Sequence, residues 1–345
     1  MIRPVIFSGS ATQRGTIDTA PVIVYAVDLN GNGVRDLLLN QSIINGQKSA
    51  TLLNVYEWDG TALTSIWEQD SGYGRYSYLR LFNGDSNPLT MELAVGSHYS
   101  YEQETAAATI EYSFTRPIEM RFAWNNNTYA LTCQHFTDQP NQRLTILHSA
   151  ETYLSCGMMR EAIADYTRLS NDQGIVGWEY YPLSAYPENL TYEQRLDYAD
   201  QLESAYYRAF ALFRLMQISL TYTEPPAAVP YLLIGSSETY MSSLSQSYQP
   251  GDHGYVYVVM AEAYLGSFTE SGSKETACAA ARLAQEQAIA SGDEPRITYP
   301  TDDAGDMRDR FGFYYANGHR YGANPDDLFN VPDDIDSMIS TPLCL

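Results

Sequence analysis

The chain has 345 residues, enough for two or more domain cores, and its hydrophobic fraction of 44% excludes an intrinsically disordered protein. Acidic residues outnumber basic ones by 42 to 20, and the formal charge of -22 argues against nucleic acid and anionic membranes as partners. No apolar run approaches the ~20 residues of a membrane span, and the first residues contain no apolar core long enough for a signal peptide.

Up to about Leu147 the apolar pattern predicts β-strands. The run PVIVYAV (residues 21–27) has the length of a buried strand, and TIEYSFT (109–115) alternates between apolar and polar residues. Further strands are predicted at DLLLNQS, LLNVYEW, RYSYLRLF, MELAVGS and EMRFAW. Asn, Gly, Asp and Pro separate these runs, as turns require, so we expect an antiparallel sheet region.

Oxygen-bearing side chains alternate along the first predicted turn, AVDLNGNGVRDLLL (26–39). One interpretation is a hairpin, because Asn-Gly pairs between apolar strands are typical of tight turns. The other is a calcium loop, because Ca²⁺ binds about 6 to 8 oxygens and a glycine permits the sharp curl between them. In that interpretation the metal ligands are the side chains of Asp28, Asn30, Asn32 and Asp36 and the carbonyl of Val34.

The spacing D-x-N-x-N-G-x-x-D between two strands resembles the calcium loop of FG-GAP repeats, the blades of integrin-type β-propellers. An EF-hand is excluded, because Leu39 takes the place of its bidentate Glu and strands rather than helices flank the loop. The resemblance covers roughly Val22 to Thr132 and implies blade-like sheets that bind Ca²⁺. Asn30 and Asn32 replace aspartates, which leaves two formal charges in the loop and implies weak affinity.

An internal repeat runs through the strand region. VYEWDGTALT (55–64) matches RFAWNNNTYALT (121–132), and VDLNGNGVRDLLLN (27–40) resembles LFNGDSNPLTMELAVG (81–96). In the second loop, Asn83 to Met91, a proline replaces the glycine and Met91 the final aspartate, so we expect no calcium there. A closed propeller takes ~4 to 8 blades, so the edges of two units must be covered by the helical half, another subunit or further blades.

After His148 the apolar spacing becomes helical. We therefore predict a β region over residues 1–147 and an α-helical region over residues 148–345, with an irregular acidic tail from Gly292. The predicted fold class is α+β, with propeller-blade-like antiparallel sheets followed by tetratricopeptide-like helical hairpins.

Capping signals locate individual helices. A capping box at Thr191 and Gln194 begins a long helix, which ends at Glu224 before two prolines. A later helical pair comprises YVYVVMAEAYLGSF and SKETACAAARLAQEQAIA, the second capped by Ser273.

Two segments resemble tetratricopeptide repeats, in which small and aromatic residues let antiparallel helices pack closely. In the first segment these residues are Tyr153, Gly157, Ala162, Tyr166 and Leu169. The second segment has Tyr264, Gly272 and Ala277, and we predict a longer turn between its helices. Such helices either bind a peptide or partner domain, or only support the sheets.

We find no motif typical of an enzyme. The five histidines are scattered, and no H-E-x-x-H, G-x-S-x-G or phosphate-binding loop is present. Cys133, Cys156, Cys278 and Cys344 form no C-x-x-C pair, which argues against zinc and leaves disulfides and free thiols both open.

Tyrosines concentrate on two predicted strands. Tyr76, Tyr78 and Arg80 alternate on one strand, and Tyr99 and Tyr101 follow on the next. Tyr and Arg are common at binding hot spots, stacked tyrosines also bind sugars, and Tyr is in any case a good strand former.

The sequence thus predicts a non-enzymatic calcium-binding protein that interacts with other proteins, by self-assembly or in a larger complex such as a cell-surface filament or layer. We expect it to be the mature part of an exported protein, located outside the cytoplasm. The alternatives are a carbohydrate-binding or glycan-cleaving protein that uses the tyrosine faces, and a cytoplasmic scaffold without metal.

Overall fold

A computed structural model describes residues 5–7, 22–45, 48–70, 76–82, 90–104, 109–125, 127–139, 141, 143–172, 174–175, 190–221 and 235–291. The chain divides into two compact units: residues 1–100 with 113–138, and residues 101–112 with 139–345. Within the described ranges, strands occupy the N-terminal part and helices the C-terminal part, so the α+β class is confirmed. The propeller and tetratricopeptide assignments, and the acidic tail from Gly292, lie beyond what these residues test.

The described strands form two antiparallel sheets in sequence order. The first sheet contains β1 (Val5–Phe7), β2 (Val22–Val27), β3 (Asp36–Asn45), β4 (Lys48–Trp58) and β5 (Leu63–Asp70). The second contains β6 (Tyr76–Phe82), β7 (Thr90–Glu104), β8 (Thr109–Asn125) and β9 (Thr128–Phe136). Each therefore includes four consecutive strands joined as a meander.

The internal repeat is visible in the strand pairing. The last hairpin of each sheet has a register shift at the matching step, between Val55 and Tyr56 in the first sheet and between Arg121 and Phe122 in the second. A β-bulge of this kind adds one residue to a strand and increases its twist. Because it recurs at the same position, the last hairpins of the two sheets match in strand register as well as in sequence.

The register defines which residues of the two copies correspond. Trp58 pairs with Leu63, and Trp124 pairs with Tyr129, so four residues separate the partners in each hairpin. Tyr129 is therefore the counterpart of Leu63, because the strand register determines the cross-strand partner of each tryptophan.

Two strand predictions also change. The segments predicted separately at TIEYSFT and EMRFAW belong to one strand, β8, which contains Pro117. The pairing of β8 with β9 begins at Ile118, after Pro117, so this pairing does not require the N–H that proline lacks. Strands β5 and β9 were not predicted, since their sequences alternate poorly.

Six helices lie in the described C-terminal part: α1 (Arg143–Ser155), α2 (Met159–Asn171), α3 (Tyr192–Thr221), α4 (Ser237–Ser247), α5 (Tyr255–Ser271) and α6 (Lys274–Ser291). Helix α3 packs against α2, α4 and α5, and the pairs α1–α2 and α5–α6 form hairpins. One hydrophobic core joins all six. Helix α4 was not predicted, because its Ser-rich sequence has a weak apolar stripe.

The predicted helix caps are confirmed. The Thr191 N–H donates to Gln194 Oε1 at 2.9 Å, and the Gln194 N–H donates to Thr191 Oγ1 at 3.3 Å, which is a reciprocal capping box. The Ser273 hydroxyl accepts from the Thr276 N–H at 3.2 Å at the start of α6. These bonds satisfy N–H groups that have no partner within the first turn of a helix.

The two helical hairpins carry the predicted small residues at their turns and contacts. Gly157 and Gly272 both take positive φ, 69° and 64°, which favours glycine. Ala162 and Ala277 are fully buried in the hairpin contacts. The expectation of a longer second turn is wrong: two residues join α5 to α6 and three join α1 to α2, so the extra residues belong to α5.

A buried arginine connects three helices. Arg214 on α3 is 1% exposed, and its Nε and Nη2 donate to Oε1 and Oε2 of Glu151 on α1, both at 3.0 Å. The Tyr166 hydroxyl on α2 donates to Glu151 Oε1 at 2.5 Å, and Gln217 Oε1 accepts from Arg214 Nη1 at 3.0 Å. A charge this deep is tolerated only because it is paired and hydrogen-bonded.

Candidate functional site

The predicted calcium loop connects β2 to β3 at one end of the first sheet. Its flanking residues, Val27 and Asp36, are cross-strand partners, so the residues between them form a closed turn. Gly31 and Gly33 take positive φ, 78° and 86°, as the two Asn-Gly pairs predict. The glycines therefore fit both the hairpin and the calcium interpretation.

The carboxylate of Asp28 lies inside the curl of the loop. Its Oδ1 accepts from the Gly31 N–H at 2.8 Å, and its Oδ2 accepts from the Gly33 N–H at 2.9 Å. Each carboxylate oxygen has a further lone pair. The backbone thus fixes the orientation of Asp28 without using all of its acceptor capacity.

The two loop asparagines repeat this arrangement. Asn30 Oδ1 accepts from the Asn32 N–H at 3.1 Å, and Asn32 Oδ1 accepts from the Val34 N–H at 2.7 Å. These are Asx turns, in which a side-chain oxygen replaces a backbone acceptor. The side chain of Val34 is 40% exposed.

Asp36 is the most unusual residue of the loop, because it is fully buried. Its Oδ2 accepts from the Leu29 N–H at 2.9 Å, whereas its Oδ1 is buried and has no hydrogen-bond partner among the described residues. Burial raises the pKa of Asp36; N–H bonds from Leu29 and Asn30 oppose that rise, and the negative charges of Glu57 and Asp28 add to it. The unpaired oxygen therefore faces a negative environment.

Glu57 belongs to the candidate site but was not predicted from the sequence. Its Oε1 accepts from Asn30 Nδ2 at 3.1 Å and also from Asn32 Nδ2. It comes from β4, far from the loop in sequence, and it is half-buried. A third carboxylate therefore joins Asp28 and Asp36 at this end of the sheet.

A signal for Glu57 was present in the sequence. Asn45-Gly46 is a typical hairpin pair between two apolar runs. In the structure Asn45 pairs with Lys48, and the same register continues to Leu37 with Tyr56. One step further, Glu57 lies opposite Asp36, so counting from the turn would have identified it.

The three carboxylates are near one another but do not converge on one point. Among the described residues, the oxygens of Asp28, Asp36 and Glu57 do not form a group whose members all lie within 4.8 Å of one another. Oxygens bound to one Ca²⁺ lie 2.3–2.6 Å from it. Coordination by all three residues therefore requires the loop to close further onto Glu57.

The second sheet contacts the loop through one hydroxyl. The Tyr129 OH donates to the Leu29 carbonyl at 2.8 Å, and both residues are buried. The Tyr129 ring packs edge-on against Trp67, with ring centroids 5.8 Å apart. Burial, together with the charges of Asp36 and Asp28, raises the pKa of Tyr129, so the hydroxyl stays a donor. The second copy of the repeat thus supports the loop of the first.

Replacing Tyr129 with phenylalanine is expected to lower the free energy of unfolding by about 1–3 kcal/mol, because the buried Leu29 carbonyl loses its donor while the ring packing remains. Urea denaturation of the wild type and Tyr129→Phe, followed by near-UV circular dichroism, measures this difference. The control is Tyr198→Phe at an exposed residue of α3, whose hydroxyl makes a long, 3.5 Å contact with His253 Nε2. Equal effects of the two substitutions would contradict a specific role for the Tyr129 hydroxyl.

The second copy has lost the corresponding acidic residues. Met91 stands where the first copy has Asp36, and it is likewise fully buried. Ala123 stands where the first copy has Glu57 in the matching register. Residues 83–89 lie outside the described ranges, so the absence of calcium there stays a prediction.

Within the described residues, the tyrosine strand and Cys133 provide no further site. The tyrosine strand is present as β6, with a register shift between Tyr76 and Tyr78, but its side chains and those of Tyr99 and Tyr101 lie outside the described part. On β9, Cys133 is disulfide-bonded and so offers no thiolate to a metal.

Disulfides, which the sequence left open, are present. Cys133, Cys156 and Cys278 are all disulfide-bonded, and the described part contains no free cysteine. Disulfides form and persist mainly in oxidising compartments.

No family model, curated protein or solved structure matches the chain. In the described part, no helix has the length and apolar character that crossing a membrane requires.

Proposed function

We propose that this chain is a non-enzymatic protein of an extracytoplasmic compartment, whose N-terminal unit binds calcium at residues 28–36 and which acts by assembling with other proteins. The Asp28, Asn30, Asn32 and Asp36 side chains and the Val34 carbonyl supply the oxygens. The FG-GAP resemblance of this loop supports the proposal, and the contacts of the loop support it independently.

The observation that carries the proposal is the unpaired Oδ1 of Asp36. Buried carboxylates are normally paired or coordinate a metal, because removing a charge from water is costly. Asp36 is fully buried, yet one of its oxygens has no donor in the described part of the chain, and two further carboxylates lie nearby. A divalent cation bound by oxygens would satisfy the open lone pairs and offset the mutual repulsion of the carboxylates.

The extracytoplasmic location is supported by the disulfide-bonded cysteines, since such bonds are rare in reducing compartments. Extracellular modules bind calcium at ~0.1–1 mM, a range that a loop with few formal charges reaches. The two properties are therefore consistent with each other.

Assembly is supported by apolar side chains at the calcium end of the first sheet. Val34, Trp58 and Leu63 are 40%, 45% and 48% exposed. Val34 belongs to the loop, and the other two face each other across the β4–β5 turn. Exposed aromatic and aliphatic residues beside a metal loop are suited to contact another protein.

The test is a thermal melt with excess chelator, followed by calcium titration into the stripped protein. Ligand binding to the native state alone stabilises it by RT ln(1 + [L]/Kd), about 2.7 kcal/mol at a hundredfold excess over Kd. We expect a rise in Tm that returns with calcium and is absent in Asp28→Ala. The matched control is Glu68→Gln, which removes an exposed carboxylate of β5.

A Tm that does not change up to millimolar calcium would overturn the proposal and reduce residues 28–36 to a hairpin turn. A shift that persists in Asp28→Ala would place the ion elsewhere in the chain. Sedimentation velocity with and without calcium tests the assembly part, which fails if the protein is monomeric at high concentration in both conditions.

A further inference from the structure

The strand pairing places a carboxylate from outside the loop beside the proposed ligands. Antiparallel register aligns Leu37 with Tyr56, so Asp36 and Glu57 occupy the next opposed positions. Directly opposed residues have Cβ atoms about 4.5–5.5 Å apart, close enough for both side chains to reach a common atom. The negative charge of Glu57 contributes to the raised pKa of Asp36, so the two carboxylates interact.

The present partners of Glu57 are groups that a cation would displace. Its Oε1 accepts from the amide nitrogens of both loop asparagines, Asn30 (3.1 Å) and Asn32. Amide nitrogens cannot bind a cation, whereas amide oxygens can. These two bonds therefore already hold Glu57 against the side chains of two proposed ligands, with one amide hydrogen of each asparagine occupied by the carboxylate.

We propose that Glu57 is itself a calcium ligand, so that the site is shared between the loop and strand β4. This inference rests on the proposed calcium function and names a ligand that the loop motif does not contain. On binding, the Glu57 carboxylate exchanges two amide N–H donors for the ion. The site then has three formal negative charges instead of two, which raises its affinity above that implied by the loop alone.

Binding by Glu57 requires a small closing movement, because the oxygens of Asp28, Asp36 and Glu57 do not all lie within 4.8 Å of one another. Trp58, the next residue on β4, is 45% exposed and lies beside the strand position onto which the loop would close. Calcium binding should therefore change the environment of Trp58. A site confined to the loop would leave Trp58 unaffected.

The test compares wild type, Glu57→Gln and Glu68→Gln by isothermal titration with calcium and by tryptophan fluorescence. Glutamine keeps an oxygen that accepts from the two asparagines but removes the charge, so the fold in chelator should be unchanged by circular dichroism. We expect Kd to rise about tenfold or more in Glu57→Gln. The Kd of Glu68→Gln should equal that of wild type.

The fluorescence arm uses Trp58→Phe, which keeps an aromatic ring at the same position. The calcium-dependent emission change of the wild type should be lost in Trp58→Phe while Kd is preserved. Glu57→Asp retains the charge on a shorter side chain and should bind calcium more tightly than Glu57→Gln. If Glu57→Gln does not fold, the Kd of Glu57→Asp is compared with that of wild type instead.

The outcomes separate the two proposals. Wild-type Kd in both Glu57→Gln and Glu57→Asp, with calcium still bound, would overturn the role of Glu57 and leave the loop site intact. Absence of calcium binding by the wild type would overturn the proposed function, and the role of Glu57 with it.

Discussion

Arg214→Met is expected to lower the free energy of unfolding of the helical unit by about 3–5 kcal/mol, the usual cost of leaving one member of a buried ion pair without its partner. Arg214 and Glu151 are both nearly inaccessible to water and are joined by two hydrogen bonds. Among the described residues, removing the guanidinium leaves the Tyr166 hydroxyl as the hydrogen-bond donor to the Glu151 carboxylate. Urea denaturation followed by far-UV circular dichroism, a signal to which helices contribute most, measures the loss.

The matched control is Arg160→Met, since Arg160 is an exposed residue of α2. Its effect should stay within about 0.5 kcal/mol. The double variant Glu151→Gln/Arg214→Met removes both charges and keeps an acceptor for Tyr166, so it should recover part of the loss. If the double variant is less stable than Arg214→Met alone, the uncompensated carboxylate is not the cause.

Asp36→Asn should change stability in opposite directions with and without calcium. In chelator we expect a gain on the order of 1 kcal/mol, because a buried, unpaired charge becomes neutral while an oxygen still accepts from Leu29. At a hundredfold excess of calcium over the wild-type Kd, the wild type gains about 2.7 kcal/mol, which the variant does not. Chemical denaturation in both conditions, monitored by tryptophan fluorescence, measures this reversal.

The pH dependence in chelator provides a second check on Asp36. Folding raises the pKa of Asp36 above its ordinary value of 3.8, so the folded state binds this proton more tightly than the unfolded state. The destabilisation caused by Asp36 is therefore complete above the folded pKa and disappears as the pH falls below 3.8. The advantage of Asp36→Asn should be largest at neutral pH and should narrow toward pH 4. An advantage that grows on acidification would contradict the raised pKa.

Local chemistry was enough to predict parts of both units. The glycines of the loop, the capping box at Thr191 and the cap at Ser273 depend on residues a few positions apart, and the structure places them as expected. The change from strands to helices also follows from local apolar spacing. Features of this kind need no knowledge of which distant segments meet.

Features that depend on register were missed. Glu57 reaches the loop only because the β3–β4 pairing brings it opposite Asp36, and its own neighbours in sequence give no hint of a metal. The pairing of Tyr129 with the Leu29 carbonyl spans 100 residues. Likewise, local sequence does not distinguish Arg214 from other helical arginines, because its burial results from the packing of three helices. Long-range packing decides the roles of Tyr129 and Arg214, which local propensity does not contain, whereas the position of Glu57 follows from the register counted across the Asn45-Gly46 turn.

The Tyr129 hydroxyl indicates that the two copies of the repeat contribute different groups to the candidate site. The first copy keeps the acidic residues, while the second has Met91 and Ala123 in their places and supplies the hydroxyl that holds the Leu29 carbonyl. The position equivalent to Tyr129 in the first copy is Leu63, which has no donor to offer in return. The copies are therefore not interchangeable, because exchanging them would separate the carboxylates of the candidate site from the hydroxyl that supports their loop.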